Sequence, residues 1–288
     1  MAHHGRGPIL LSRYLALAWF GLVVYGSLHP FIGWRDTGVS TIAFLDGGWP
    51  RYWTVFDLAA HVAVYLPLGF FLTLALSSLP GRFTALILAV LLAGGVSFSL
   101  ESVQTWLPSR VPSNLDLACN ALGGLLGAAL AKHLGPRVFA RIAALQHRLI
   151  APIPHAELGL TLLGLWLLVP LSPETLLFGA GDVRQIFGLT GAVPFAAESF
   201  VMIEASITAF NAVAVGLIVR MLCARLLFAY LIVPVFLLLC LVISTVAAAV
   251  LVSPAESLAW MTPGARLGLI VGSAILGVAV ALPATPRH

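Results

Sequence analysis

Charge is what this chain has least of. Its 288 residues include 15 Lys and Arg and 11 Asp and Glu, 9% in all, where an ordinary soluble domain carries ~25%. A water-soluble fold of this size cannot cover its surface with so few charges, and disorder needs the opposite composition. Lysine is nearly absent: Lys132 stands alone against the arginines, and no Lys/Arg cluster forms a nucleic-acid-binding face despite a pI near 9.3. Cysteine is scarce, and Cys119, Cys223 and Cys240 form no C-x-x-C pair, which argues against a disulfide framework or a zinc site. G-x-S-x-G, Walker, dinucleotide-binding and H-E-x-x-H motifs are all missing. That argues against nucleotide-driven pumps and hydrolases of those kinds. No cofactor and no resident metal are expected.

What the chain has instead is apolar length. Hydrophobic residues make up 60% of it, and the mean hydropathy is +1.03. A span needs ~20 apolar residues. Runs of that order lie at Ile9–His29, Asp57–Leu79, Phe83–Trp106, Leu115–Leu134, Glu157–Phe178, Ala196–Val219, Leu226–Val252 and Gly264–Leu282. In lipid the backbone must satisfy its own hydrogen bonds, and no run alternates like a barrel strand. The expectation is an all-α polytopic transmembrane helical bundle of about eight spans. The first run, flanked by Arg6 and Arg13, reads as an uncleaved helix rather than a signal peptide. Residues 1–135 read as a four-helix membrane module and 157–288 as a second four-helix region. Between them, residues 136–156 read as a basic amphipathic connector. There Arg137, Arg141 and Arg148 alternate with Val138, Ile142 and Leu149, the pattern of a short helix on the membrane surface.

Sidedness follows from counting Lys and Arg at alternate ends of eight spans. Ten fall on the side of the termini and five on the other: Arg35, Arg51, Arg110, Arg184 and Arg266. The positive-inside bias puts both termini in the cytoplasm. Nine of the eleven acids, Asp182 and Glu174 among them, then lie at the outer side or at outer helix ends. Trp19, Trp34, Trp49, Trp53, Trp106, Trp166 and Trp260 sit mostly near run boundaries, as an aromatic belt does.

The second, third and fourth runs carry the polar residues. Asp57, His61 and Tyr65 recur at i, i+4 and i+8, hence on one helix face. Glu101 and Gln104 share a face, with Ser97 a turn deeper. Arg110 follows in the loop, then Ser113, placed to cap a helix carrying Asp116 and Asn120. The second run starts outside, the third ends outside and the fourth starts outside, so all these residues belong at one depth. Gly123-x-x-x-Gly127 and Gly124-x-x-x-Ala128 supply the small-residue seam for close helix approach, with Gly94-Gly95 as a candidate partner. Asp36–Trp53 is an outer loop long enough to lie over the cluster as a lid. A costly intramembrane polar cluster defaults to function.

This ordered set resembles the VanZ-like family: Asp57, His61, Tyr65, Gly69, Glu101, Gln104, Arg110, Ser113, Asp116, Asn120, Gly123 and Gly127, over about residues 10–135. The resemblance implies a small bacterial inner-membrane module, in a family named for reduced susceptibility to teicoplanin-type lipoglycopeptide antibiotics. The localisation expected is the bacterial cytoplasmic membrane, multi-pass, with the polar site on the extracytoplasmic side.

Several roles stand open for the cluster. His61 with Asp57 fits a general acid/base pair, the carboxylate fixing the tautomer; it equally fits a helix-entry Asp bonded to its neighbour. Glu101 and Asp116 fit a carboxylate pair, a cation site, or an ion-pair network with Arg110. Arg110 also fits capture of an anionic group. Glu204, with Thr208 and Asn211, forms a second intramembrane polar group, either a relay or a protonated Glu in one interhelical hydrogen bond. The leading functional expectation is a protein whose outward polar cluster binds or remodels a membrane lipid or lipid-linked envelope intermediate. The alternatives are an intramembrane lipid-modifying enzyme, a transporter, or a structural subunit that meets a membrane-protein partner through its C-terminal half.

Overall fold

The computed structural model describes residues 7–50, 52–81, 83–172, 176–179 and 197–281. Arg6, Arg51, Arg82, Glu174, Asp182, Arg184 and Arg287 lie outside them. Among the described residues there is no strand, and the helices are α1 (Gly7–Leu28), α2 (Ala43–Asp46), α3 (Val55–Ala75), α4 (Thr84–Gln104), α5 (Asn114–Leu149), α6 (Ala156–Trp166), α7 (Ala197–Leu222), α8 (Leu226–Leu251) and α9 (Pro263–Ala281). Seven of these are long and apolar enough to cross a membrane, so the chain is an all-α polytopic bundle. It divides into two compact units, Met1–Ala144 and Leu145–His288.

Two expectations are corrected. The fifth apolar run gives only the eleven residues of α6 and a 3-10 turn at Val169–Leu171. At 1.5 Å per residue α6 is ~16 Å long, about half the hydrocarbon core. Pro170 stops it, because its ring would strike the carbonyl of Trp166 and it has no N–H to give back. The described helices of spanning length are therefore seven, not eight. The second correction concerns the connector. Residues 137–149 are not a separate surface helix but the continuation of α5 through Gly135-Pro136. Leu130, Leu134, Val138 and Ile142 continue one i+4 row.

The first unit consists of α1 to α4 and most of α5. Its core joins Val23 of α1, Tyr65 and Leu68 of α3, and Ala93 and Leu100 of α4. α5 meets α3 by close approach. A Cβ at Gly123 would strike Val62, one at Gly127 would strike Leu66 and Phe70, and one at Gly69 would strike Gly124. The glycine seam thus faces α3. Gly124 also faces Ala93 of α4, whereas Gly94 and Gly95, the expected partner, look onto open space. Within α3, Pro67 removes one backbone donor and spreads the turn before it. The Trp19 indole N–H donates there to the carbonyl of Val64 at 2.8 Å.

The second unit packs α7 against α9 through another glycine seam. Gly264, Gly268 and Gly272 lie against Glu204, Ala205, Thr208 and Ala209. Val215, Val219, Val233, Leu276 and Val280 fill its core.

Candidate functional site

Four helix ends meet at one end of the first unit: the C-termini of α1 and α4 and the N-termini of α3 and α5. They enclose a cavity of about 1000 Å³. Asp57, His61, Glu101, Gln104, Arg110, Ser113, Asp116 and Asn120 all line it. The residues singled out by sequence are brought together, at one level. The segment before α3 supplies the remaining wall. Phe44 of α2 is buried, its ring 6.0 Å from that of Phe98, and Gly47, Gly48, Pro50, Tyr52 and Trp53 continue the lining. The loop expected as a lid is a fixed side of the cavity, tied down where the Asn114 amide donates to the Gly47 carbonyl at 2.7 Å.

The pairings within the cavity differ from those expected. Asp57 does not orient His61. Its Oδ2 accepts from the N–H and the hydroxyl of Thr54 at 3.0 and 2.7 Å, while its own N–H donates to Thr54 Oγ1 at 3.1 Å. Thr54-x-x-Asp57 is a capping box, which draws the carboxylate back along the helix axis to the N-terminus of α3. That signal was in the sequence and outweighs the i, i+4 relation to His61. The histidine turns to α5 instead. Its Nε2 lies 3.6 Å from Asp116 Oδ2, and its Nδ1 lies 3.1 Å from Asn120 Oδ1. Asn120 in turn donates to Ser97 Oγ at 2.9 Å. A polar chain thus runs from Asp116 through His61 and Asn120 to Ser97, crossing α5, α3 and α4. With the Asn120 carbonyl toward Nδ1, that nitrogen carries the proton.

Glu101 and Arg110 do not form the ion-pair network considered from sequence. Glu101 is only 4% exposed, and its Oε2 accepts the Ser113 N–H at 2.9 Å. The Ser113 hydroxyl accepts the N–H groups of Leu115 and Asp116 at 3.1 and 3.3 Å, which caps α5. Glu101 therefore sets where α5 begins. Arg110 turns to α1, donating through Nε and Nη2 to the His29 carbonyl at 3.2 and 2.7 Å and through Nη2 to Gly26 at 3.0 Å. Gln104 donates to the Ser27 carbonyl at 3.0 Å. Both residues satisfy carbonyls left open at the C-terminus of α1, where a cation is also favoured by the helix dipole. Among the described residues, no three His, Cys, Asp or Glu side chains converge as metal ligands.

Glu204 lies in the second unit and is 3% exposed. The Thr262 hydroxyl donates to its Oε1 at 2.5 Å, and the same hydroxyl accepts the Ala265 N–H at 3.1 Å. Glu204 is thus held at the N-terminus of α9, where a carboxylate suits the dipole. Thr208 and Asn211 do not join it. Thr208 donates to the Leu177 carbonyl at 3.1 Å and Asn211 to Ile207 of its own helix at 3.0 Å. Replacing Thr262 by valine is expected to leave a buried acceptor without its donor and to cost ~1–3 kcal/mol. Asn211→Ala is expected to stay within ~0.5 kcal/mol. Thermal unfolding of the detergent-solubilised protein distinguishes them, and equal melting of Thr262→Val and wild type would remove the interhelical role.

Comparison with curated proteins and with solved structures finds no match. Residues 14–137 match the VanZ/LLP1 family model. All residues lining the cavity fall inside that segment. Over residues 14–137 the chain thus matches the VanZ/LLP1 family, and the described residues beyond that segment are further, mostly helical material.

Proposed function

We propose that the cavity of the VanZ-like domain binds the head group of a membrane lipid or lipid-linked envelope component on the extracytoplasmic side of the bacterial inner membrane, and thereby lowers susceptibility to teicoplanin-type lipoglycopeptides. The observation that carries the binding reading is a cavity of about 1000 Å³ with polar side chains at the level of four helix ends, lined in part by exposed Tyr52 and Trp53. Aromatic side chains of that kind favour the interface between head groups and acyl chains. Such a site takes a polar group from the interface while the apolar remainder of the ligand stays in the bilayer. The outward orientation is supported by charge. Arg35 and Arg110 lie toward the cavity end, against Arg13, Lys132, Arg137 and Arg141 toward the other, and the more basic end is the cytoplasmic one. The resistance role rests on the family resemblance.

The test is lipid retention. Full-length protein extracted from bacterial membranes in mild detergent is expected to carry bound lipid by native mass spectrometry. Ala60→Trp, which fills part of the cavity, is expected to lose it without a change in melting temperature. Equal retention in both proteins would overturn the binding reading. Unchanged lipoglycopeptide susceptibility between cells making either protein would remove the resistance role.

A second reading is favoured by one observation, the placement of His61 between Asp116 and Asn120. A histidine so held serves as a general acid or base, with Asp116 rather than Asp57 as its partner. On that reading His61→Ala keeps the lipid but no longer converts it. Recovery of chemically unaltered lipid after incubation with wild type would sink it.

A further inference from the structure

We infer that the head group taken by this cavity carries a primary ammonium, recognised by Glu101 and Asp116; the inference rests on the lipid-binding reading above. The argument comes from which hydrogen-bonding groups of the wall already have partners. Several donors are directed to the protein: Gln104 Nε2 to Ser27, Asn114 Nδ2 to Gly47, Asn120 Nδ2 to Ser97, and Arg110 Nε and Nη2 to α1. Acceptors are left over. Glu101 has one oxygen on the Ser113 N–H, and its second, Oε1, receives no hydrogen bond among the described residues. Asp116 adds a further carboxylate, with only Oδ2 turned to His61.

Charge points the same way. Three carboxylates line the cavity, and the guanidinium of Arg110 is directed to helix carbonyls rather than to any of them. A phosphate entering this space would meet like charges. A primary ammonium brings three N–H donors and one positive charge, which answers both the open oxygen of Glu101 and a wall lined by carboxylates. A trimethylated ammonium brings the charge without the donors, so it separates the two contributions.

The experiment uses delipidated full-length protein in detergent, with phosphatidylethanolamine, phosphatidylcholine and phosphatidylglycerol of identical acyl chains as probes in native mass spectrometry. Phosphatidylethanolamine is expected to bind about tenfold more tightly than either of the others, the scale of a lost charge-assisted hydrogen bond. Glu101→Gln, which keeps an oxygen for the Ser113 N–H, and Asp116→Asn are each expected to erase most of that preference. Soluble ethanolamine and glucosamine give the second arm. Binding of either free amine, sensitive to the same variants, supports the ammonium; glucosamine bound in preference to ethanolamine places its source on an envelope saccharide, and the reverse preference places it on a phospholipid. Equal or tighter binding of phosphatidylglycerol that is still lost in Ala60→Trp overturns the ammonium inference and leaves the lipid-binding reading intact. No cavity-dependent binding of any probe overturns both.

Discussion

Gly127→Val is expected to prevent the first unit from assembling. A Cβ there meets the carbonyl of Leu66 and the N–H nitrogen of Phe70, which are backbone atoms of α3 that cannot move aside like a side-chain tip. Gly123 lies equally close to Val62, and Gly69 to Gly124, so α3 and α5 touch backbone to backbone over two turns. In a bilayer no hydrophobic force drives helices together, and close van der Waals packing carries the association. Forcing a branched side chain into that contact is expected to cost at least ~3 kcal/mol, the upper range of overpacking. The site would be lost with it, because this seam carries Asp116 and Asn120 of α5 to His61 of α3. The readout is the monodisperse fraction and melting temperature of the solubilised protein. Gly94→Ala is the control, since nothing stands within 4 Å of its Cβ position and alanine is about 1 kcal/mol better in a helix. A Gly127→Val protein that melts like wild type would refute the backbone-contact account.

The second large effect is expected at Arg110. Its three hydrogen bonds to Gly26 and His29 hold the end of α1 against the loop before α5. Arg110→Ala is expected to lose roughly 1.5–3 kcal/mol, the worth of a hydrogen bond to a charged group, and to loosen the α1 side of the cavity. Arg110→Lys is expected to recover only part, because an ammonium lacks the planar fork that reaches two carbonyls together. The decisive measurement is the melting temperature of ligand-free protein. If Arg110→Ala melts like wild type and loses only ligand, the guanidinium serves the ligand and not the helix end.

These two residues also mark how far the sequence can be read. The membrane class, the positions of seven long helices and the shared level of Asp57, His61, Glu101, Arg110, Asp116 and Asn120 were legible, because each depends on local quantities. Run length is set by bilayer thickness. Depth follows from counting residues from a helix end, at 1.5 Å each. The capping box at Thr54 and Asp57 is a spacing of three before an apolar run, and it competes with the i, i+4 relation to His61 for the same carboxylate. The length of α6 depends on Pro170, which ends the helix although the run stays apolar on both sides of it.

What only the tertiary structure decided is who faces whom. Periodicity gives the face of a helix on which a residue lies, but not the helix that will stand opposite. That choice depends on rotation about each axis, which close packing sets. The glycine seam of α5 was visible, whereas its partner α3, rather than the Gly94-Gly95 surface of α4, was not. Once α5 is seated on α3, His61 meets Asp116 and Asn120, Glu101 meets the turn that starts α5, and Arg110 is left to α1. The hydrophobic run is a property of neighbours along the chain, and the pairing of polar groups is a property of surfaces brought together from residues tens of positions apart.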